Sequence, residues 1–572
     1  MWRACASKRA FRIGVLCAIL TPVAKVMAKR LKHTQNDPNK EHVTINSRLC
    51  ADLPTHGISA PSTCNLTAQH HLSRIPLHHD GGSGVLNSSS RGKRMSCEVS
   101  TVLVLERGGS PYRKPGKTDK GNFLLTLLDP SPDSYAEVFV TEDGVYNHRA
   151  RVLGGGSVAG FYLYAETEFV KVSGLDEALV NDSYRWVEKK VVFEAPVLQW
   201  QSAVRDGLLE AGVLPFNGIT YDNVNGTKIG STIFDEDDHR HSAADLLEYA
   251  DPKNIKVYLH ATVHKIIATT ETVGSRPKVE GVIYKDALGV RHTAFLTKDP
   301  KSGIIVTAGA IGSSQLLMLS GIGPAQHLKE LGIKVVMDQP MVGQDMADNT
   351  LNGLFIPSPT PVELSLISAV GIYLPSNYIL PGSGLNLAPS FGWISEFFLR
   401  VINKTDIGSF FDKRLNGGII VQKVARPLSK GNIELRSTDP NDTPKVTFNY
   451  FKEPEDLKPC VQGMQTVINV VNSKAFSKFR YQTISTQQLL NLVAALPLNQ
   501  RPRNANTTKS LEQFCNDTVM TFWHHYGGCQ VGKVVDQDYK VLGLDGLRVI
   551  DASTFNFTPG TNPQATIMML GR

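Results

Sequence analysis

The side chains best suited to chemistry stand near the end of the chain, in Trp523-His524-His525 and the glycine pair at 527–528 that follows. A neutral imidazole can accept a proton near neutral pH. Glycines lack a Cβ and let the backbone approach a flat ligand closely. Farther along, Asn562 carries an amide that could hold an oxygen atom without competing for its proton. The pattern is typical of proton transfer beside a flat ligand, although a histidine pair alone is more often part of a core or a surface.

A strand and a helix are predicted to frame these residues. The apolar run at 547–550 predicts a strand, which ends at Asp551. The Asn-Pro-Gln sequence at 562–564 opens an apolar helix over 565–570. Because the first turn of a helix leaves backbone N–H groups unpaired, this N-terminus can bind a polar group that lies close to it.

Two segments farther upstream have the pattern of a nucleotide-binding α/β fold. The unbroken apolar run at 102–105 predicts a buried parallel strand, which Glu106 follows. An acidic residue in that position of a dinucleotide fold accepts hydrogen bonds from the adenosine ribose, although one such residue is weak support by itself. At 303–323 an apolar strand, a glycine turn and an apolar helix follow one another, as a cofactor-facing βα unit requires.

The remaining segments have less distinctive patterns. Residues 355–425 show little periodicity. Alternating apolar and polar residues at 426–451 predict an antiparallel sheet, and residues 455–479 predict a helix. Helices are also predicted at 186–212 and after 239–243, and strands at 255–259 and 261–263.

Length and composition exclude several classes of protein. A chain of 572 residues is longer than one core usually supports, which predicts two lobes. No apolar run is long enough to span a membrane, so no transmembrane segment is expected. The net charge of +7 is mild, much of it lies before residue 46, and no nucleic-acid motif occurs, so no nucleic-acid partner is expected. No spacing typical of metal ligands occurs either, and no metal is expected.

Together these segments resemble the glucose-methanol-choline (GMC) family of FAD oxidoreductases, and most closely its plant HOTHEAD-like and mandelonitrile lyase-like branch. The resemblance rests on LERGG at 105–109, GGGS at 154–157, GAIGSSQLLMLSGIG at 309–323, VGQDMADN at 342–349 and WHHYGGC at 523–529. It implies FAD as the cofactor, a Rossmann-like α/β FAD-binding lobe that is discontinuous in sequence, and an α+β substrate lobe with an antiparallel sheet. The implied division is an atypical region at 1–98, FAD-binding lobe at 99–350 with some substrate-lobe insertions, substrate lobe at 351–520, and FAD-binding lobe again at 521–572.

The resemblance also implies roles for individual residues. His524 would take the hydroxyl proton of an alcohol and Asn562 would be the second catalytic residue, whereas His525 is the weaker candidate because relatives commonly have the reverse order, Tyr-His. The implied FAD contacts are Glu106, Val152, Gly155, Gly156, Val263, Trp523, His524, Asp551, Asn562, Pro563 and Gln564. The plant lyase branch has a disulfide near Cys460 and Cys515, so these two cysteines are expected to be bonded.

Two departures from the family pattern affect the FAD-binding half. A dinucleotide fold needs an apolar first strand, a G-x-G-x-x-G turn and a helix ahead of the acidic residue. The sequence at 77–95, LHHDGGSGVLNSSSRGKRM, supplies Gly82 and Gly84 but has Asn87 in the third place. The GGGS segment is also two residues shorter than in relatives before the Ala-Gly-Phe at 159–161. We therefore expect the usual first strand to be missing and FAD to bind poorly or not at all.

The N-terminal region has its own pattern. Residues 31–98 are polar and lack periodicity, which predicts disorder. Residues 1–30 are basic and then apolar, and the Val-Met-Ala at 26–28 resembles a cleavage site, which predicts a secretory signal peptide; an Arg-rich organellar presequence fits nearly as well. Glycosylation sequons favour the secretory route, so we expect a secreted glycoprotein; they lie at Asn65, Asn87, Asn181, Asn225, Asn403, Asn441, Asn506, Asn516 and Asn556.

Three function classes remain open at the level of sequence. The first is an FAD-dependent oxidoreductase acting on a small-molecule alcohol, for which the resemblance suggests a long-chain ω-hydroxy fatty acid. The second is a hydroxynitrile lyase on the same fold, against which Asn562 argues because the lyases carry His there. The third is a non-catalytic product of a defective gene that cannot hold FAD. The sequence does not indicate an oligomeric state.

Overall fold

The computed structural model describes residues 101–572 except 113–117, 123–125, 128, 130, 132, 157–160, 271–274, 374, 376, 385–415 and 561. Several sequence predictions therefore lie outside the described residues. They are the signal peptide, the disordered region at 31–98, the departing segment at 77–95, the shortened part of the GGGS segment from Ser157 to Gly160, and the sequons at Asn65, Asn87 and Asn403.

The strands follow one another along the whole described chain. They are β1 (Val102–Leu105), β2 (Ala136–Val140), β3 (Tyr146–Ala150), β4 (Phe161–Tyr162), β5 (Phe193–Glu194), β6 (Phe216–Ile219), β7 (Gly226–Ile229), β8 (Ser231–Thr232), β9 (Ile255–Tyr258), β10 (Thr262–Thr269), β11 (Lys278–Lys285), β12 (Arg291–Phe295), β13 (Ile304–Val306), β14 (Ile322–Gly323), β15 (Met337–Asp338), β16 (Gln344–Met346), β17 (Thr350–Pro357), β18 (Ser365–Leu366), β19 (Ala369–Tyr373), β20 (Asn377–Ser383), β21 (Gly417–Val424), β22 (Gly431–Glu434), β23 (Lys445–Val446), β24 (Met520–Thr521) and β25 (Leu547–Val549).

Helices lie between and after these strands. The α-helices are α1 (Thr167–Val172), α2 (Glu177–Val191), α3 (Gln199–Glu210), α4 (Gly309–Leu319), α5 (Ala325–Glu330), α6 (Leu457–Asn472), α7 (Thr486–Ala495), α8 (Leu511–Asp517) and α9 (Gln564–Gly571). Short 3-10 helices cover Lys120–Asn122, Asp245–Tyr249, Pro454–Asp456, Ser477–Phe479 and Ala552–Thr554. No helix in the described part of the chain is long and apolar enough to cross a membrane.

Parallel strand pairs form one part of the fold. β1 pairs in parallel with β9, and β13 pairs in parallel with β25, so segments from distant parts of the sequence meet. The βα unit predicted at 303–323 is confirmed as β13 followed by α4. The predicted parallel pairing at 102–105 is confirmed, but the prediction of a fully buried strand is wrong, because only Leu103 is buried. Within the described residues β1 pairs with β9 alone.

A large sheet forms the second part of the fold. Its strand order is β24-β17-β21-β20-β19-β7-β6, with β18 paired to β20, and its pairs are antiparallel except for β6 with β7. α3 and α6 pack against it. Although residues 355–425 show little periodicity in sequence, the described part of this range contains the last three residues of β17 and all of β18 to β21. These strands are buried on both faces, so their sequences do not alternate between apolar and polar residues.

The other predicted elements are present with small differences. The sheet predicted at 426–451 is the antiparallel pair β22–β23, joined by β16. The helix predicted at 455–479 consists of α6 flanked by two 3-10 helices, and α6 ends at Asn472 because Ser473 has extended backbone. The helix expected after 239–243 is a 3-10 helix. The pairing implied for Cys460 and Cys515 is confirmed by a disulfide with an S–S distance of 1.99 Å, which joins α6 to α8.

Candidate active site

The backbone of His524 is held by the buried carboxylate of Asp348. The His524 N–H donates to Asp348 Oδ1 at 3.0 Å. The other carboxylate oxygen, Oδ2, accepts from the hydroxyls of Tyr450 and Thr521, each at 2.6 Å. Three donors thus satisfy a carboxylate that has little access to water. The turn that carries His524 after β24 is fixed to the loop ahead of β17.

The ring of His524 is buried beside a neutral amide. Its Nδ1 lies 3.2 Å from Asn349 Oδ1. Burial lowers the pKa of His524 well below its usual value, and the positive charge of Lys423 and the neighbouring His525 lower this pKa further. The imidazole is therefore neutral at physiological pH, which is the form that can accept a proton.

Trp523 adopts a backbone conformation that non-glycine residues rarely take. Its φ is +59°, in the left-handed region. The Trp523 N–H donates to Thr521 Oγ1 at 2.7 Å, and the indole Nε1–H donates to His148 Nδ1 at 2.8 Å. Burial lowers the pKa of His148 to about 4, so its ring is neutral and can accept this bond. His148 lies on β3 and was not found by sequence reasoning, because nothing in its local sequence marks it.

His525 points into a polar network behind the site. Its Nε2 lies 2.6 Å from Asn147 Oδ1, and its ring stacks on Phe448 with the centroids 5.3 Å apart. The Asn147 amide also donates to the hydroxyl of Tyr450 at 3.1 Å. Burial lowers the pKa of His525. Through Tyr450 this network reaches Asp348, whose carboxylate holds the His524 backbone. His525 therefore supports the position of His524 indirectly.

A buried lysine lies close to His524, and sequence reasoning missed it. Lys423, on β21, donates from Nζ to the carbonyl oxygen of Gly560 at 3.1 Å. The same Nζ lies 4.7 Å from the ring centroid of Tyr378 and 5.5 Å from that of Phe522. Phe522 in turn lies 4.6 Å from the ring of His524. Burial lowers the pKa of Lys423 to about 7. The signal that the sequence offered was a lysine within the largely apolar sequence of β21.

Glu166 offsets part of the positive charge in this cluster. Its carboxylate accepts from the hydroxyl of Tyr378 at 3.0 Å and pairs with Arg426, which also pairs with Glu168 at 2.6 Å. Burial raises the pKa of Glu166. Gly560 has a φ of +89°, and a Cβ there would lie 2.1 Å from Glu166 Oε1. Only glycine therefore fits at this position without displacing the carboxylate.

Asn562, the second predicted catalytic residue, lies two residues after Gly560. Asn562 is buried, and Pro563 and Gln564 lead into the first turn of α9, as the sequence predicted. Because Lys423 touches both Gly560 and Phe522, the turns that carry Asn562 and His524 converge on the same side of β21.

The residues expected to bind adenosine gather at the carboxyl ends of β1 and β9. Glu106 Oε1 accepts from the Gly108 N–H at 2.6 Å, and the Glu106 carbonyl accepts from the Ala261 N–H at 2.8 Å. Val263 lies two residues farther, on β10. Burial raises the pKa of Glu106. A ribose and an adenine could therefore contact neighbouring strand ends.

The segment after β3 lies against this edge. Val152 forms a parallel bridge with Gly109, which places Gly155 and Gly156 just beyond it. Gly155 has a φ of +70°, and a Cβ added there would meet nothing within 4 Å, so its backbone faces open space. The Gly155 carbonyl accepts from Arg240 Nη2 at 3.4 Å. The structure thus brings Glu106 and the Val152–Gly156 residues together.

Asp551 joins two elements rather than standing free. Its Oδ2 accepts from the Gly309 N–H at 2.9 Å and from Ser313 Oγ at 2.5 Å, and its Oδ1 accepts from the Ser553 N–H at 2.8 Å. Gly309 and Ser313 belong to the first turns of α4. This buried carboxylate ties the end of β25 to the start of α4.

The glycine pair at 527–528 packs closely against protein atoms. A Cβ on Gly527 would lie 2.2 Å from the carbonyl oxygen of Asp345, and one on Gly528 would lie 2.3 Å from Ser314 Oγ. Both residues also have positive φ. Close packing against protein atoms therefore explains both glycines, and close approach to a flat ligand is not needed to account for them.

The donor set fits the two ends of FAD. Glu106 offers a carboxylate at a strand end for a ribose, and Gly155 and Gly309 present backbone to open space, since a Cβ at either would meet nothing within 4 Å. At the other end, the first turn of α9 and the neutral His524 could face the flavin. The segment 77–95, which stands where the family pattern places the pyrophosphate loop, lies outside the described residues.

Family models described as GMC oxidoreductase match residues 92–351 and 427–571. Similar proteins include Protein HOTHEAD of Arabidopsis thaliana, 46% identical over 496 residues, with 82% of this chain and 83% of the relative covered. The (R)-mandelonitrile lyase-like protein of Arabidopsis thaliana is 44% identical, with 82% and 84% covered. Sinalpyl alcohol oxidase Nec3 of Nesocodon mauritianus is 39% identical, with 82% and 83% covered.

Solved structures share the fold at low sequence identity. Pyridoxine 4-oxidase from Mesorbium loti has a TM-score of 0.64 at 17% identity, with 82% of this chain and 93% of that chain covered. A fungal aryl-alcohol oxidase has a TM-score of 0.57 at 17% identity, with the same coverage. The family matches span most of the chain and confirm the resemblance drawn from its motifs. This chain belongs to the GMC family of FAD-dependent oxidoreductases.

Proposed function

We propose that this protein oxidises the CH–OH group of an alcohol, with His524 as the general base. When bound, FAD supplies the acceptor for the hydride that leaves the carbinol carbon. The single observation that carries this proposal is a neutral, buried His524 whose Nδ1 faces Asn349, because this leaves Nε2 to take the hydroxyl proton.

Asn562 holds the substrate oxygen in this proposal. Its amide can donate a hydrogen bond to that oxygen and does not compete for the proton that His524 removes. The buried amine of Lys423 lies near both turns and is partly protonated around neutral pH, since its pKa is about 7. Its charge would favour the negative charge that develops on the substrate oxygen as the proton leaves.

The proposed substrate is a long-chain ω-hydroxy fatty acid. This proposal is carried over from the resemblance to the HOTHEAD-like branch, and the 46% identity to Protein HOTHEAD supports it. The name of the sinalpyl alcohol oxidase indicates an aromatic alcohol instead for that relative. A panel that includes an ω-hydroxy fatty acid, the corresponding fatty acid without the hydroxyl group, and an aromatic allylic alcohol tests the choice. The proposal requires turnover of the first to exceed that of the third.

A hydroxynitrile lyase is the second candidate, because relatives 44% and 38% identical are named mandelonitrile lyases or lyase-like. Asn562 argues against it, since the amide cannot act as the second imidazole of that site. Release of hydrogen cyanide from mandelonitrile, measured alongside alcohol oxidation, separates the two. A protein that shows neither activity and no flavin absorbance would support the third class, a non-catalytic product.

We also propose that the protein passes through the secretory pathway. The Cys460–Cys515 disulfide is typical of proteins that fold in an oxidising compartment. Several sequon asparagines among the described residues are exposed and could carry glycans; they are Asn181, Asn225, Asn441, Asn506 and Asn556. Mass mapping of glycopeptides from protein expressed in a plant host tests this, and unmodified peptides at all of these positions would contradict it.

A further inference from the structure

We infer that Asn349 is a positioning residue that fixes the tautomer of neutral His524, with the proton on Nδ1 and the lone pair on Nε2. The inference rests on the proposed role of His524 as a base and adds a residue from a segment far away in the sequence. It follows from which atoms can donate and which can only accept.

The orientation of the Asn349 amide is set by a backbone carbonyl. Asn349 is fully buried, and its Nδ2 donates to the carbonyl oxygen of Ala425 at 2.6 Å. A carbonyl oxygen can only accept, so the amide nitrogen must face Ala425 and the amide oxygen must face the other way. Asn349 Oδ1 therefore points at His524.

The amide oxygen then determines the state of the ring. Asn349 Oδ1 lies 3.2 Å from His524 Nδ1, and an amide oxygen can only accept. Nδ1 must therefore carry the proton in the neutral ring, which leaves an unprotonated Nε2. This is the tautomer a general base needs if Nε2 faces the substrate.

The sheet keeps this pair in register. Asn349 directly precedes β17, whose Thr350 pairs with Val424 of β21 and with Thr521 of β24. The Asn349 carbonyl also accepts from the Phe522 N–H at 3.0 Å. Since Asp348 accepts from the His524 N–H, two adjacent residues hold the backbone and the ring of the same histidine.

Other charged or titratable groups face His524 without setting its tautomer. Lys423 approaches from β21 and donates to Gly560, and His525 on the same segment is directed at Asn147. The carboxylate of Asp348 is occupied by the His524 N–H and two hydroxyl groups. Among the described residues, Asn349 Oδ1 is the acceptor that the structure gives to Nδ1.

Two substitutions of Asn349 test whether this residue positions the ring of His524 or only fills space beside it. In Asn349→Asp a carboxylate oxygen still accepts from Nδ1, so the tautomer is kept, but the negative charge favours the imidazolium and raises the pKa of His524. The acidic limb of the pH profile of kcat/KM should therefore move to higher pH, with the alkaline plateau largely kept. In Asn349→Leu the acceptor is lost, the ring can adopt the other tautomer, and kcat should fall by ~10-fold or more.

Asn352→Leu is the matched control. Asn352 is also fully buried and lies on β17, but its amide donates to the carbonyl of Cys515 at 2.9 Å and to Thr518 Oγ1 at 3.0 Å. This substitution removes comparable buried hydrogen bonds without touching His524. It should lower thermal stability but leave the pH profile in place. A shift of the acidic limb in this control equal to that in Asn349→Asp would overturn the inference.

A second readout does not depend on turnover. In the full chain labelled with ¹⁵N-histidine and supplied with FAD, the signal that disappears in His524→Ala reports the ring of His524. The inference requires an unprotonated Nε2 and a protonated Nδ1 in the wild-type protein, and a protonated Nε2 would overturn it. Absence of turnover with every alcohol would overturn the proposed function instead, and the NMR signal would still decide the tautomer.

Discussion

Lys423 and Gly560 are joined by a hydrogen bond of 3.1 Å from the buried amine to the backbone carbonyl. Lys423 belongs to the large antiparallel sheet, whereas Gly560 lies two residues before Asn562 in the last segment of the chain. The same amine lies over the ring of Phe522, which contacts His524. One side chain of the sheet therefore touches the turns that carry both proposed catalytic residues.

Removing the proposed base should abolish most of the activity without unfolding the protein. His524→Ala is expected to lower kcat for alcohol oxidation by ~10²-fold or more, the usual scale for the loss of a general base. Circular dichroism and thermal melting should remain close to wild type. His239→Ala, at an exposed position, is the control for loss of an imidazole. Unchanged turnover in His524→Ala would remove His524 from this role.

The buried Lys423 should make stability depend on pH. Its pKa in the folded protein, about 7, lies below its usual value of 10.5, so between these values the unfolded state binds more protons and the wild type gains stability as pH rises. The free energy of unfolding of Lys423→Met, relative to that of the wild type, should be highest below about pH 7. This difference should decrease by a few kcal/mol toward pH ~10. Urea unfolding at several pH values measures it.

The matched control for this pH dependence is Lys445→Met, because Lys445 is exposed on β23. Its difference from wild type should stay flat over the same range. A flat difference for Lys423→Met as well would show that the buried amine keeps its ordinary titration.

Gly560→Ala should be more costly than the same substitution at a glycine with positive φ and open surroundings. The added Cβ would lie 2.1 Å from Glu166 Oε1 and would disturb the turn before Asn562. Gly289→Ala is the control, since its φ is +78° but a Cβ there would meet nothing within 4 Å. The control should lose about 1–2 kcal/mol from backbone strain, and Gly560→Ala about 1–3 kcal/mol more from overlap, by chemical denaturation. Equal losses would contradict the close contact.

The disulfide between α6 and α8 should stabilise the folded protein. Replacing both Cys460 and Cys515 by Ala is expected to lower the free energy of unfolding by about 2–4 kcal/mol, because the reduced chain has more unfolded conformations. Peptide mapping of protein expressed through an oxidising compartment should recover the two residues as one linked peptide pair. Recovery of both as free thiols would contradict the bond.

Sequence reasoning succeeded where a pattern is local. β13 with α4, β25 and α9 each combine an apolar run with a glycine or proline boundary, so their types could be predicted from neighbouring residues. β20 and β21 could not, because strands buried on both faces lose the alternation that marks a strand.

The residues of the candidate active site also divide into those that a local pattern indicates and those that it does not. His524 and Asn562 stand out because they lie in motifs near the end of the chain. Asn349, Lys423 and His148 do not, because their roles come from contacts with residues far away in sequence. A sequence pattern cannot show that β21 and β3 lie next to the last segment of the chain.

FAD should bind weakly to the unmodified chain. We expect purified protein to carry less than one FAD per molecule, because the sequence at 77–95 departs from the G-x-G-x-x-G pattern and β1 has β9 as its one partner among the described residues. Replacing residues 60–99 by an apolar strand, a G-x-G-x-x-G turn and an amphipathic helix should raise the flavin content measured by absorbance. One FAD per molecule in the unmodified chain would contradict this.

The most direct measurement is the absorbance of FAD-loaded protein when a primary alcohol is added without oxygen. Alcohol oxidation predicts loss of the oxidised flavin bands, fast in the wild type and slowed by ~10²-fold or more in His524→Ala. Flavin bands that persist with every alcohol tested, together with release of hydrogen cyanide from mandelonitrile, would contradict the oxidoreductase function and favour the lyase.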